Sequence, residues 1–310
     1  MSTTPVVQLV GPLIIGLCLD WGLLGCSSVQ TYYYYCLFPN DRRSLKSLVY
    51  FLYLWGVVQT LLFTQQVFDN LAKGWGSPIA LEAKGTLWFS VPIMSGVAST
   101  VVQCFYSWRV LRLSKSYFLS VVIVVLALME GSSSIALGFI GRFEVQSLAE
   151  LQSKTFAVTS VWLLGSAICD VVIGASMVFF LTRLRHDSFD RAAENLVTRL
   201  VRLCVGAGVI TAVVAIIDSA LYIAYIHNNY HFAPAATLGK LYVNSLLVLL
   251  NSRQRHIADD PQRGGKLWRS SRRTVDIRPE VAEEDVSMTS CNSTRNSSGD
   301  PKPGDGKHIV

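Results

Sequence analysis

Apolar residues run along this chain in seven long blocks separated by short polar stretches. Each block can cross a hydrocarbon core of ~30 Å, which takes ~20 residues of helix. The blocks predict helices over approximately Gln8–Tyr35, Leu45–Phe68, Leu87–Val110, Tyr117–Ile140, Phe156–Leu181, Leu200–Ile226 and Phe232–Leu250. Inside lipid every backbone amide must be satisfied within its own segment, so such blocks have to be helical. A transmembrane barrel would alternate in runs of about ten residues, and no such alternation occurs. Pro12 and Pro92 fall near the first turns of helices 1 and 3, where a missing amide is tolerated. Gly22 and Gly25, and Gly206 and Gly208, suit close helix–helix contact. The predicted fold is all-α: a polytopic membrane domain over 1–251 and a disordered polar tail over 252–310.

Charge sets the orientation. The loops after helices 1, 3 and 5 carry Arg42, Arg43, Lys46, Arg109, Arg112, Lys115, Arg183, Arg185, Arg191, Arg199 and Arg202. The loops after helices 2, 4 and 6 carry only Lys73, Lys84, Arg142 and Lys154. The positive-inside bias therefore puts the first set in the cytosol, the N-terminus outside and the tail inside. Tyr32 to Tyr35, Trp75, Trp88 and Tyr230 fall where interfacial aromatic anchors are expected.

Composition agrees. Only 15% of residues are charged and 51% are hydrophobic, against about 25% charged in soluble domains. Mean hydropathy is +0.39. Residues 1–19 contain no Lys or Arg, so a basic signal-peptide n-region is missing and helix 1 is expected to stay in place. Of the seven cysteines, six lie in or beside apolar blocks and none forms a CxxC pair, which points to small buried thiols rather than a disulfide framework or zinc site. Cys36, at the end of helix 1, is a palmitoylation candidate. The tail is basic from Arg253 to Arg273, then acidic at Glu283 to Asp285, then rich in Ser and Asn. It cannot bury enough apolar surface to fold alone, and its basic start suits anionic lipid headgroups. Two glycosylation sequons, at Asn292 and Asn296, should stay unused in a cytosolic tail.

Ionisable residues inside the blocks are the best guide to function, because a charge at mid-bilayer costs at least ~2.5 kcal/mol. They are Asp20, Glu130, Asp170, Asp218 and Lys240. Counting from the basic flanks at about 1.5 Å per residue places Asp170, Lys240, Glu130 and Asp218 in one layer, ~20–24 Å deep, with Asp20 nearer the outer face. Lys240 would pair with Asp170 first or with Asp218, and the surplus carboxylates must be protonated, solvated or otherwise paired. The cluster Asp170, Lys240, Asp218, Glu130 and Asn244 is either a register-fixing polar network or a ligand or ion site open to the outside. Gln59, Gln103 and Ser245 fit either arrangement. His227 and His231, spaced i, i+4 around Asn228 and Asn229, read as a polar turn rather than a metal site.

Gly25–Lys46, GCSSVQTYYYYCLFPNDRRSLK, resembles the helix-1 exit of a basidiomycete membrane-protein family catalogued as a domain of unknown function (six-five-three-four). Arg109–Ser114, RVLRLS, resembles its helix-3 exit, and Lys240–Arg253, KLYVNSLLVLLNSR, its helix-7 signature. The resemblance extends over roughly 8–255 and implies a fungal integral membrane protein of seven helices. Asp170, Lys240, Tyr242 and Asn244 match its pattern; Asp20, Glu130 and Asp218 have no counterpart there. It implies no substrate, reaction or catalytic residue.

Three function classes follow. A receptor-like protein of the plasma membrane, taking an unknown small ligand, fits the topology and tail. It is not of the common rhodopsin-like class: helix 3 ends Tyr106-Ser107-Trp108-Arg109, without the acidic-Arg-aromatic triplet, and helix 7 has no NPxxY. A transporter or ion pathway would use the buried carboxylates, although no repeated halves support a common carrier fold. A structural membrane protein is the third. A retinal protein is disfavoured because helix 3 has no carboxylate opposite Lys240. HExxH, GxSxG and P-loop motifs are absent, so no enzyme, cofactor, metal or nucleic-acid partner is expected.

Overall fold

A computed structural model describes residues 6–74, 85–144, 148–186, 191–225 and 230–253. The tail beyond Arg253, the sequons, Trp75, Lys84 and His227 lie outside the described residues, as does the whole second unit, 262–310. Among the described residues the first unit is all-helical: α1 (Val6–Leu37), α2 (Arg43–Phe68), α3 (Met94–Ser114), α4 (Tyr117–Phe143), α5 (Leu148–His186), α6 (Arg191–Ala224) and α7 (Phe232–Asn251). Wider π-helical turns extend α2 through Asp69–Lys73 and precede α3 at Phe89–Ile93. All seven predicted helices are present. α5 begins eight residues earlier than its apolar block, because no Pro or Gly interrupts Leu148–Leu164. α6 begins earlier likewise, on a run of strong helix formers, Arg191–Leu196.

Six helical segments are long and apolar enough to cross a membrane; the apolar stretch identified within α6 is shorter, Gly208–Ala224. The surface confirms the solvent. On α4 the outward face is Tyr117, Val121, Val125, Leu128 and Phe139, all well exposed, while the inward face, apart from Ile123, is Ser120, Ala127, Glu130, Gly131, Ser134, Gly138 and Gly141. Polar and small residues inside with large apolar ones outside reverse the pattern of a soluble helix. This is a multi-pass membrane protein.

α3 and α7 are the inner helices. Their most apolar stretches are 67% and 72% buried, against 28–44% for the other four spans. α7 packs along α1, α3 and α6 and touches α2, so it is the axis of the bundle. α1 and α7 run parallel at nearly constant offset. Gly16 lies against Ala233, Lys240 meets Asp20, Asn244 Nδ2 donates to the Leu23 carbonyl at 3.1 Å, and Asn251 Nδ2 donates to that of Gln30 at 2.9 Å.

The close approaches are not at the glycines expected from sequence. Gly22, Gly25 and Gly206 have open space where a Cβ would be, and Gly208 has an ordinary neighbour at 3.8 Å. The tight helix–helix contacts include Gly96 and Gly131, each against a hydroxyl side chain across the α3–α4 seam, Gly138 against Ile93 and the Trp88 carbonyl, and Gly239 against the Ser95 backbone. Glycines that face lipid and glycines that face a neighbour look alike in a sequence; only rotation about the helix axis separates them. The thiols differ in the same way. Among the described residues Cys169 is buried and Cys104 half-buried, but Cys18, Cys26 and Cys36 lie exposed on α1. Pro92 sits in the π-helical turn, whose Ser90 and Pro92 carbonyls accept hydrogen bonds from Gln59 and Ser134.

A clasp closes one end of the bundle. Arg253, just past α7, makes a two-pronged bond to Asp41 in the α1–α2 turn, and its guanidinium lies 4.5 Å over the Phe38 ring. Tyr34 donates to the same carboxylate at 2.8 Å, and Lys46 donates to the Pro39 carbonyl. Burial pushes the Asp41 carboxyl up, but Arg253, Tyr34 and Lys46 outweigh it and hold its pKa below the usual value. Arg42, Arg43, Arg109, Arg112, Lys115 and Arg183 stand at the helix ends belonging to this side, the basic end.

A Cβ at Gly239 would lie 3.0 Å from the Ser95 Cα, which cannot rotate away. Gly239→Val is expected to cost about 1–3 kcal/mol or more by overpacking. Gly22→Val, facing open space, is expected to be near neutral. Thermal unfolding of the two variants in detergent compares them.

Candidate functional site

The five intramembrane charges do not form one layer. They divide into three groups along α7.

The first is an ion pair. Lys240 Nζ donates to Asp20 Oδ1, with the two side chains 2% and 1% exposed. The expected partners, Asp170 and Asp218, are both elsewhere. Depth counting misplaced Asp20 because α1 continues from Gln30 to Leu37, about two turns past the level where α7 ends, before its basic flank begins. The second Asp20 oxygen accepts from Thr60 of α2 at 2.6 Å. Gln59 bridges outward: its Oε1 lies 3.5 Å from Lys240 Nζ, while its Nε2 donates to the Ser90 carbonyl at 2.9 Å and to Ser95 Oγ at 3.0 Å. Asn244, one turn below, donates to the Lys240 carbonyl and accepts from Gln30 Nε2. Every charge in this group is matched, which a buried pair needs if its Coulomb attraction is to offset desolvation.

The second group is centred on Asp170 of α5. Tyr242 Oη donates to Asp170 Oδ2 at 2.8 Å, Gln103 Nε2 donates to Oδ1 at 3.3 Å, and Ser166 lies 2.6 Å from the Tyr242 oxygen. Glu130 of α4 is fully buried nearby, yet neither of its oxygens has a hydrogen-bond partner among the described residues. Ser99, its neighbour on α3, gives its hydroxyl to the Gly96 carbonyl instead. Ser245 donates to the Tyr242 carbonyl at 2.8 Å and lies 3.4 Å from Tyr106 Oη, so it touches neither Lys240 nor Asp170.

The third group is a cavity of about 80 Å³ at the end of the bundle opposite the basic end, room for more than one water molecule. Five helices meet around it: the turn before α3 gives Trp88 and Val91, α4 gives Leu137, α5 gives Thr155, Thr159 and Trp162, α6 gives Asp218 and Tyr222, and α7 gives Phe232. His231, the residue preceding α7, completes the wall; its ring stacks on Tyr222 at 5.2 Å with an 11° tilt. Burial pushes the His231 pKa down to about 4, so the ring is neutral at pH 7. Asp218 Oδ2, Thr159 Oγ1 and His231 Nδ1 all lie here without a hydrogen-bond partner among the described residues. Thr155 and Tyr222, in contrast, bond each other at 3.2 Å.

Of the sequence-predicted residues, the structure therefore brings Lys240 and Asn244 together with Asp20, places Asp170 beside Glu130, and sends Asp218 to the cavity. His231, Thr155, Thr159, Trp162 and Trp88 were not foreseen as a site. The available signal was their position: each lies within about two turns of the end of an apolar block, on the side of the weakly charged loops. Among the described residues, no group of three or more His, Cys, Asp or Glu side chains is arranged to hold a metal.

The sequence model of a family of unknown function (DUF6534) matches residues 166–255. This is narrower than the 8–255 over which a resemblance was expected. The matched stretch holds Asp170, Asp218, Lys240, Tyr242 and Asn244 but neither Asp20 nor Glu130. No curated protein and no solved structure matches the chain.

Lys240→Met would leave Asp20 as a buried charge without its counter-ion, at a cost of about 3–5 kcal/mol. The double change Lys240→Met with Asp20→Leu is expected to recover most of that loss. Unfolding of both variants in detergent measures the difference; a double variant no better than the single would rule out the ion pair as the cause.

Proposed function

We propose that this chain is a seven-helix, receptor-like protein of the plasma membrane, with its N-terminus outside and its basic tail in the cytosol. It takes a small ligand from the outer side into the cavity around Asp218, and it is a binding protein rather than an enzyme. The cavity carries this reading: five helices converge on it, and three buried polar atoms in its wall lack partners. Polar atoms buried without partners are costly, and a protein that retains three around one space has them available for something that binds there.

The topology is supported by two observations. α1 and α7 are parallel, as the first and last of an odd number of crossings must be. The basic residues gather at one end, which positive-inside bias assigns to the cytosol. A fungal origin is supported by the stretches Gly25–Lys46 and Lys240–Arg253 alone. The basic start of the tail adds attraction to anionic headgroups, worth ~1 kcal/mol per residue near the surface.

The route from ligand to cytosol is α7. Phe232 and Ala235 line the cavity, Lys240 and Asn244 lock the helix to α1, and Arg253 holds the α1–α2 turn through Asp41. A ligand that shifts the start of α7 acts on one rigid rod whose other end faces the signalling side. The alternative, an ion pathway, draws support from Glu130, buried beside Asp170 without a hydrogen bond.

The full chain in lipid nanodiscs, screened against small molecules by thermal unfolding, is expected to yield compounds that raise Tm. Their effect should vanish in Trp162→Ala. A screen with no such compound, together with a proton or cation flux in proteoliposomes that Asp170→Asn abolishes, would replace this reading with the ion pathway.

A further inference from the structure

The unpartnered atoms of the cavity can each accept a hydrogen bond. Asp218 is 1% exposed, forms no ion pair or hydrogen bond among the described residues, and directs its carboxylate into the space. Thr159, 5% exposed, and the neutral His231 ring each present an atom able to accept a hydrogen bond. No Lys or Arg is among the residues lining the cavity. The rest of the wall is aromatic and aliphatic, with Trp88, Trp162, Tyr222 and Phe232 supplying π faces.

Each ligand class can be weighed against this wall. An anion would meet the Asp218 carboxylate with no cation to offset the repulsion. A purely apolar molecule would leave three acceptors buried without donors. A polar neutral molecule could satisfy one or two acceptors but would not match the charge. A cation with several N–H donors on an apolar body answers all three features: charge to Asp218, spare N–H groups to Thr159 and His231, and aromatic faces around the head and body.

We propose that the cavity is a binding site for a small organic ammonium ion, its head group held by Asp218 and Thr159 and its apolar body lying against Trp88 and Trp162. This rests on the ligand-cavity reading above and narrows it to one chemical class. Asp218 acts as the charge-recognising residue and Thr159 as a positioning residue for the head group. The Lys240–Asp20 pair takes no part, since both of its members are already satisfied.

The test uses three molecules that share one body and differ in the head: phenethylamine, phenethyl alcohol and phenylacetate. Each is titrated at neutral pH into the full-length protein in lipid nanodiscs, with protein-free nanodiscs subtracted for partitioning, and read by calorimetry and by tryptophan emission. Phenethylamine is expected to bind about tenfold or more tightly than phenethyl alcohol, as a charge-assisted bond to a buried carboxylate requires, and phenylacetate more weakly than either. Asp218→Asn should remove the preference of amine over alcohol while leaving alcohol binding in place. The comparison on the unaltered protein stands even if that variant misfolds. Equal binding of amine and alcohol, both lost in Trp162→Ala, would overturn the ammonium assignment and leave the cavity as a site for neutral ligands. Amine binding that Asp218→Asn does not change would overturn the assignment as well. No binding by any of the three, with tryptophan emission unmoved, would overturn both the assignment and the cavity reading on which it rests.

Discussion

The rest of the structure depends on the Lys240–Asp20 ion pair. A single charge at this depth costs at least ~2.5 kcal/mol on insertion scales, so each residue is costly there without the other. Their meeting fixes α1 and α7, the first and last helices, in parallel register. Thr60 brings α2 to the same carboxylate, and Gln59 carries the network on to Ser95 of α3. Four helices thus converge on one pair of charges, and Gly239 lets α7 come close enough to α3 for this to happen. The hydrophobic effect holds helices in a membrane only weakly against one another; small residues and polar contacts of this kind supply the specificity.

With that pair in place, the remaining polar groups have separate surroundings at separate levels. Asp170 is satisfied by Tyr242 and Gln103. At the basic end, Arg253 and Asp41 tie the foot of α7 to the α1–α2 turn. At the other end, Asp218 faces a cavity with no polar partner among the described residues. The contrast between the matched Lys240–Asp20 pair and the unpartnered Asp218 beside the cavity is what the proposed binding role rests on.

Much of the fold was legible in the sequence because hydrocarbon thickness and backbone satisfaction leave few choices for long apolar blocks. Helix boundaries were legible where a Pro, a Gly or a charge run stops the helix, as at Lys115 between α3 and α4, which takes a left-handed φ of 54°. They were not legible for α5 and α6, which continue past their apolar blocks. The charged residues were recognised as important, but their partners were not. Depth counting assumes that each helix begins at its basic flank, and α1 overruns the end of α7 before reaching Arg42. Rotation about each helix axis was also out of reach, which is why Gly22 and Gly25 look like contact residues and are not. The cavity belongs to five helix ends at once. His231, read as part of a polar turn, becomes part of its wall only when Tyr222 comes in from α6 to stack on it.

The central claim is that the mid-membrane charges are enclosed while the Asp218 cavity is reached from outside. A cysteine-accessibility measurement tests it most directly. Thr159→Cys and Ser99→Cys, each in a background without reactive native thiols, are treated in sealed cells or oriented proteoliposomes with a small membrane-impermeant thiol reagent on the outer face. The account predicts that Thr159→Cys is labelled and is protected by a cavity ligand, and that Ser99→Cys, beside Glu130, stays unlabelled. Labelling of both positions, or of Ser99→Cys alone, would contradict it.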